Sequence, residues 1–248
     1  MEFQYFEGEQ RSPEWFKIRL AKVTSSRLSD WLAVSKAKAT AGQPLKARLD
    51  YEKELLFERV FGTSFETYVS EAMQDGIDYE DLARREYKRV KGVEVIPVGC
   101  WYNDYFVASP DGGISTDGIA EIKIVKDNSF TDLLTGSFDK SGEHIPALSE
   151  NGLLSKWWKQ VQGQLWASGK EWCDFIAVNF NTKKIKIVRI FPDVEFHKWV
   201  ELTIVEEFTL DETIFDSSEL YDLVELKEAE QPILTAEEAT QDIKALGF

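Results

Sequence analysis

A chain of 248 residues, 43% of them hydrophobic, holds enough apolar material for one sizeable core, and eight Trp with sixteen Phe exclude a disordered polymer. The net charge of −15 is unevenly placed: residues 201–248 carry 14 acids against 2 bases, leaving 30 acids and 27 bases in residues 1–200, so the body is nearly neutral. Two cysteines, Cys100 and Cys173, and two histidines, His144 and His197, exclude a disulfide framework, a four-cysteine zinc site and a cysteine-ligated iron–sulfur cluster.

A catalytic metal must then be held mainly by oxygen. The start Met1-Glu2-Phe3-Gln4 has neither a basic nor an apolar leader, and no uncharged run is as long as a membrane span, so a soluble cytoplasmic protein is expected.

Ser12-Pro13-Glu14 reads as a helix start with Pro at the first helical position. Thr24-Ser25-Ser26 can cap a short helix carrying Leu28, Trp31 and Leu32, and residues 35–46 form a polar loop. Helical spacing follows over 49–60 and again from about 69 to 91. Short β-rich runs at 93–98 and 105–108 flank a turn at Tyr102-Asn103-Asp104, and a third strand spans 119–125. Residues 126–152 are rich in loops. An amphipathic helix over 155–168 is followed by strands at 175–179 and 184–191, then by a helix over 193–208 and an acidic tail. This order implies a mixed α/β fold in which helices flank a central mixed sheet. The expected division is a catalytic domain over 1–209 and an acidic, helical extension over 210–248.

Basic residues gather at Lys36, Lys38, Lys46 and Arg48, and again at Arg84-Arg85 with Lys88, Arg89 and Lys91. Each run is either a phosphate-contacting patch or solvated surface. The stretch from Ser109 to Lys123 carries more chemistry. Alternate residues of a strand share a face, so Glu121 and Lys123 point one way while Ala120, Ile122 and Ile124 point into the core. Asp111 ends the preceding strand, and Asp117-Gly118 turns the chain back, so three charges can meet on a bent hairpin. Two carboxylates suit hard divalent cations such as magnesium, and an adjacent lysine can orient or deprotonate a water. Without such a role the pattern is an exposed Glu–Lys pair. Further along, Gln160 and Gln164 share a helix face opposite Trp158, Val161 and Leu165, and glutamine can serve a phosphate oxygen as donor.

Taken together these segments resemble the lambda exonuclease family, the YqaJ-like viral recombinases of the PD-(D/E)xK nuclease superfamily. The matching elements run in order over roughly residues 13–190: Glu14-Trp15-Phe16-Lys17-Ile18-Arg19-Leu20, Val23-Thr24-Ser25-Ser26, Gly76 with Glu80, Ser109-Pro110-Asp111, Glu121-Ile122-Lys123, Trp158 to Trp166 with its three glutamines, Gly169, and Trp172-Cys173-Asp174-Phe175.

The resemblance implies a restriction-endonuclease-like core. It implies two Mg2+ ions, replaceable by Mn2+, held by Asp111, Glu121, Glu80 and the Ile122 carbonyl, with Lys123 activating the water. Arg19, Ser26, Ser109 and Gln160 match positions that form a pocket for a 5′-terminal phosphate. It further implies 5′→3′ digestion of one strand of linear double-stranded DNA by a homotrimeric ring. The 3′ overhang would pass to an annealing protein of the Red-beta or RecT type in phage recombination within the bacterial cytoplasm. Met73 is a candidate strand-separating wedge or a core residue. A sibling nuclease that cuts internally, or a DNA-binding module with a dead site, are the competing readings.

Overall fold

The computed structural model describes the backbone of residues 1–65 and 71–215 and the side chains of 1–65 and 79–205. Met73 and the tail beyond Phe215 therefore lie outside the described residues. The chain divides into two units, Met1–Phe208 and Thr209–Phe248.

Strand β1 (Gln4–Phe6) leads into helix α1 (Pro13–Arg19), where Ser12 Oγ accepts from Trp15 N at 3.2 Å, the capping that Ser-Pro-Glu foretold. Strand β2 (Val23–Thr24) runs into a 3-10 turn over Ser25–Arg27 and the short α2 (Leu28–Trp31), then α3 (Lys46–Phe61) and α4 (Glu71–Lys91).

Next come β3 (Cys100–Tyr102), β4 (Phe106–Ala108), β5 (Gly112–Ile114) and β6 (Gly118–Val125). Residues 126–152, read as loop, contain α5 (Asp127–Thr135) and a small hairpin of β7 (Ser137–Phe138) and β8 (His144–Ile145). Helix α6 (Ser155–Ser168) ends at Gly169, whose left-handed φ of 64° any side chain would strain. Strands β9 (Trp172–Asn179) and β10 (Ile185–Ile190) and helix α7 (Val194–Phe215) complete the described chain.

Two four-stranded sheets replace the single expected one. The first has the order β1-β3-β4-β2 and the second β10-β9-β6-β5. Strand β1 escaped sequence reading because three residues give too little periodicity. The run over 93–98 is not a strand: only Ile96 bridges Gly113, through reciprocal bonds of 2.9 and 2.7 Å, and Pro97 has no N–H with which to extend the ladder.

The second sheet carries the site. Strands β6 and β9 pair in parallel over eight residues, from Gly118↔Trp172 to Val125↔Asn179, while β5 and β10 add antiparallel edges. Parallel strands covered on both faces bury both sets of alternating side chains. Ala120, Ile122, Ile176 and Val178 pack with Ala83 and Tyr87 of α4. Ile119, Val125, Phe175 and Ala177 pack with Trp158, Val161 and Leu165 of α6 on the other side. Glu121 and Lys123 share this second face, so neither face of β6 is left to solvent. Helix α6 is likewise buried on both sides, Gln160, Gln162 and Gln164 included, which corrects its amphipathic reading. Its Gly163 lets α6 approach closely; a Cβ there would lie 3.0 Å from both Leu28 Cδ2 and Phe106 Cζ.

A buried carboxylate ties three elements together. Asp174 of β9 accepts from Arg189 Nε and Nη2 of β10 at 2.7 and 2.9 Å, and from the Tyr87 hydroxyl of α4 at 2.6 Å.

Candidate active site

Strand pairing sets the acidic centre. The Asp111 N–H donates to Ala120 O at 3.0 Å, closing the β5–β6 hairpin, and Asp111 Oδ2 accepts from Ile122 N at 2.6 Å. Glu121, one residue away, is only 1% exposed, which excludes a solvated surface pair. Both its oxygens are held by helix α6: Gln160 Nε2 donates to Oε1 and Gln164 Nε2 to Oε2, each at 2.6 Å. The Lys123 ammonium touches Glu121 Oε1.

Glu80, on α4, lies between two arginines. Arg84 Nη2 donates to its Oε2 at 3.1 Å and also to the Asp111 carbonyl at 3.0 Å, while Arg11 Nη2 reaches Oε1 at 3.3 Å. Gln10 pins the segment that carries Arg11, donating to Val98 O and Pro110 O at 2.8 Å. A cleft of about 400 Å³, lined by Gln10, Arg11, Glu80, Arg84, Val98 and Asp111 among others, opens here.

The electrostatics are those of crowded acids. Burial pushes the Asp111 carboxyl up to about 8, and the nearby Glu121 and Glu80 carboxylates add to the shift against Lys123 and the Ile122 N–H. Burial pulls the Lys123 ammonium down, but Glu121, Asp111 and Glu80 outweigh it and leave its pKa raised. Gln164 Oε1 is buried and has no hydrogen-bond partner among the described residues. Crowded carboxylates, whose mutual repulsion survives the neighbouring Lys123, Arg84 and Arg11, form with an unsatisfied amide oxygen an all-oxygen donor set, and this fits a hard divalent cation. The three acids do not form a ready-made cage as their side chains stand among the described residues.

A second cluster lies two residues upstream of Asp111. Ser109 Oγ accepts from Trp15 Nε1 at 3.1 Å and from Arg19 Nη1 at 3.3 Å, and the Arg19 guanidinium stacks 4.2 Å from the Trp15 ring centroid. No carboxylate among the described residues, Glu14 included, forms a salt bridge with Arg19. Burial lowers its pKa, with Tyr51, Cys100 and Glu58 opposing. Tyr51 OH accepts from Thr24 N at 2.9 Å, and Thr24 Oγ1 lies 3.1 Å from Ser26 Oγ, which brings the Ser26 hydroxyl into the same neighbourhood. A largely desolvated guanidinium that bonds a hydroxyl and makes no salt bridge among the described residues is suited to an anion.

The structure thus brings Asp111, Glu121, Lys123 and Glu80 together, and Arg19 with Ser109. Gln160, expected beside Arg19, instead holds Glu121. Sequence reading missed Arg84, taken as part of a basic surface run although its i, i+4 spacing from Glu80 was visible, and it missed Trp15 and Tyr51. Arg48 also leaves its run, being 6% exposed and stacked 4.6 Å from the Trp31 ring.

The YqaJ-like viral recombinase domain model matches residues 14–171. The chain belongs to this family. Among solved structures, an alkaline exonuclease (LHK-Exo) from Laribacter hongkongensis aligns with a TM-score of 0.62 and 26% identity, covering 95% of this chain and 98% of its own. The same enzyme in complex with dAMP aligns with a TM-score of 0.61 and 28% identity over the same shares. A phage-related exonuclease from Haemophilus somnus 129PT shares the fold at 16% identity, with a TM-score of 0.55 over 74% of this chain and 90% of its own. No curated protein matches. The YqaJ-like fold seen here, a mixed sheet between α4 and α6, is the PD-(D/E)xK core. No helix among the described residues is long and apolar enough to cross a membrane.

Proposed function

We propose that this YqaJ-family protein is a Mg2+-dependent deoxyribonuclease that digests one strand of linear double-stranded DNA 5′→3′ from a phosphorylated end. Family membership and the exonuclease neighbours support the nuclease class. The single observation that carries the finer reading is the pairing of two unlike sites within two residues of chain: a crowded oxygen-donor centre at Asp111 and, at Ser109, a half-buried guanidinium without a salt bridge among the described residues.

Asp111, Glu121, the Ile122 carbonyl and Glu80 would hold the cation, with Mn2+ able to replace Mg2+. When bound, such a cation neutralises charge gathering on the scissile phosphate. Gln160 and Gln164 fix the Glu121 carboxylate from both sides, which orients it toward the cation once the Lys123 ammonium moves aside from Oε1. Lys123, kept protonated by its acidic neighbours, donates to the attacking water and orients it, and passes it no charge of its own. Arg19, Ser109 and Ser26 seat the terminal phosphate, which sets where cleavage falls relative to the end.

A 3′ overhang made this way suits a single-strand annealing protein of the Red-beta or RecT type in phage recombination in the host cytoplasm. A homotrimeric ring would keep the enzyme on its track.

The test is a linear duplex carrying a labelled 5′-phosphate beside a closed circle, with wild type and Lys123→Ala. Labelled mononucleotide from the linear duplex, an intact circle and a silent mutant are expected. Nicking of the circle would move the protein to an internally cutting branch. A wild type inert on both would leave a binding module.

A further inference from the structure

We infer that the turn between β9 and β10, together with the first residue after β6, forms a stacking platform for single-stranded DNA beside the active site. The inference rests on the nuclease reading for its substrate class.

Tyr79 and Phe180 meet edge to face with centroids 5.7 Å apart, and Phe180 is 37% exposed. The Lys183 ammonium sits 4.2 Å from the Tyr79 ring centroid and 4.4 Å from that of Phe180, donating to the Tyr79 hydroxyl at 3.1 Å. A cavity of about 420 Å³ adjoins them, lined by Lys126, Asp127, Asn128, Phe180 and Asn181. An exposed aromatic ring, here Phe180 backed by the half-buried Tyr79, beside lysines is what sequence-tolerant single-strand binding uses: a base stacks on the ring and phosphates meet the cations.

The platform is rigid and close to the chemistry. Phe180 N donates to Val125 O at 2.9 Å, which fastens the ring to the end of β6, and Asn179 Oδ1 accepts from Thr182 N and Oγ1 at 2.7 and 2.8 Å. Lys126 lies three residues beyond Lys123, about 10 Å at strand rise, or roughly three stacked nucleotides. Tyr79 directly precedes Glu80 on α4.

Charge decides which part of a nucleotide faces the cavity. Asp127 accepts from Asn179 Nδ2 at 2.8 Å and from Asn181 Nδ2 at 2.9 Å, so the cavity keeps a carboxylate beside its amides. That carboxylate turns phosphate away and leaves the cavity to a base, while Lys126 at its wall and Lys183 beyond it take the phosphates.

The test measures binding of a short fluorescein-labelled oligothymidylate to the full chain, with chelator present, as salt is varied. Cleavage of linear duplex in magnesium is assayed separately. Phe180→Ala is expected to weaken binding about tenfold, since stacking contributes about 1–3 kcal/mol per base, with the salt dependence unchanged. Phe180→Trp is expected to bind as wild type. Lys183→Ala is expected to flatten the slope of log affinity against log salt by about 0.7, one phosphate contact on a single strand.

Phe180→Ala binding as tightly as wild type would overturn the platform and leave the nuclease reading intact if wild type cleaves. A loss that Phe180→Trp does not restore would overturn it as well. Wild type that binds through Phe180 yet cleaves no DNA would support the platform and defeat the nuclease.

Discussion

Gln164→Met separates the two consequences of the amide pair on Glu121. The side chain is fully buried; its Nε2 donates to Glu121 Oε2 at 2.6 Å while its Oε1 has no hydrogen-bond partner among the described residues. Met keeps the length and removes both polar atoms. Losing a hydrogen bond to a charged acceptor costs about 1.5–3 kcal/mol, and removing an unsatisfied buried acceptor returns about 1–3 kcal/mol. The two nearly cancel, so the unfolding free energy of the metal-free protein should stay within about 1 kcal/mol of wild type.

The loss reappears where Glu121 must be held still. One of its two amide anchors is gone, and partners of metal ligands typically cost about 10–100-fold in metal affinity or activity when removed. The magnesium concentration for half-maximal cleavage should rise by that factor. Urea unfolding in chelator gives the first quantity, and a magnesium titration of cleavage at saturating DNA gives the second. A protein destabilised by several kcal/mol with an unchanged magnesium requirement would refute the reasoning, since Gln164 would then be a packing residue and not an orienting one.

Three further outcomes follow from other contacts. Arg19→Ala should reduce the preference for 5′-phosphorylated over 5′-hydroxyl ends by about 30-fold, the equivalent of about 2 kcal/mol for a desolvated charge pair; a ratio unchanged in competition assays would remove Arg19 from the pocket. Gly163→Ala, ordinarily favourable by about 1 kcal/mol inside a helix, should instead destabilise by about 1–3 kcal/mol, because its Cβ would lie 3.0 Å from Leu28 and Phe106; the denaturation midpoint reads the sign. Asp174→Asn should destabilise at pH 7. Burial raises the Asp174 pKa, but the Arg189 and Tyr87 donors pull it below the ordinary carboxylate value. A depressed folded-state pKa contributes stability above the unfolded value of about 4, which fades as pH falls through the folded value, so mutant and wild type should converge below pH ~4. Parallel curves down to pH ~3 would contradict this.

Local chemistry was legible in the sequence where spacing alone fixes direction. The shared face of Glu121 and Lys123 follows from strand alternation, and α1 follows from Ser12-Pro13. Asp111 does not end the preceding strand as expected: it enters β5, a three-residue strand too short to read, and the turn falls at 115–117, with Gly118 already in β6. What failed were features set by partners distant in sequence. Glu121 and Lys123 looked solvent-facing because nothing local reveals that α6 covers that side of β6. That Gln160 bonds Glu121 could not be read locally either, because a glutamine carries a donor wherever it points and only the α6–β6 packing aims it. Arg84 joined a basic run on paper, while in three dimensions one helical turn sets it against Glu80 and the Asp111 carbonyl. The separate first sheet was hidden for a simpler reason. Strands of two and three residues hold too few alternations to betray a period.

The distance in sequence between the carboxylates and their anchors also orders events during synthesis. Asp111, Glu121 and Lys123 come from one local hairpin of a dozen residues. The glutamines that steady Glu121 arrive 39 and 43 residues later, and the parallel partner strand β9 later still. The helix and the parallel strand cannot pack on the hairpin before their own residues have been synthesised, at about 5–20 residues per second. A nascent chain therefore carries its acids and lysine without the helix that aligns them, and becomes competent to cut only once nearly all of its catalytic unit has emerged.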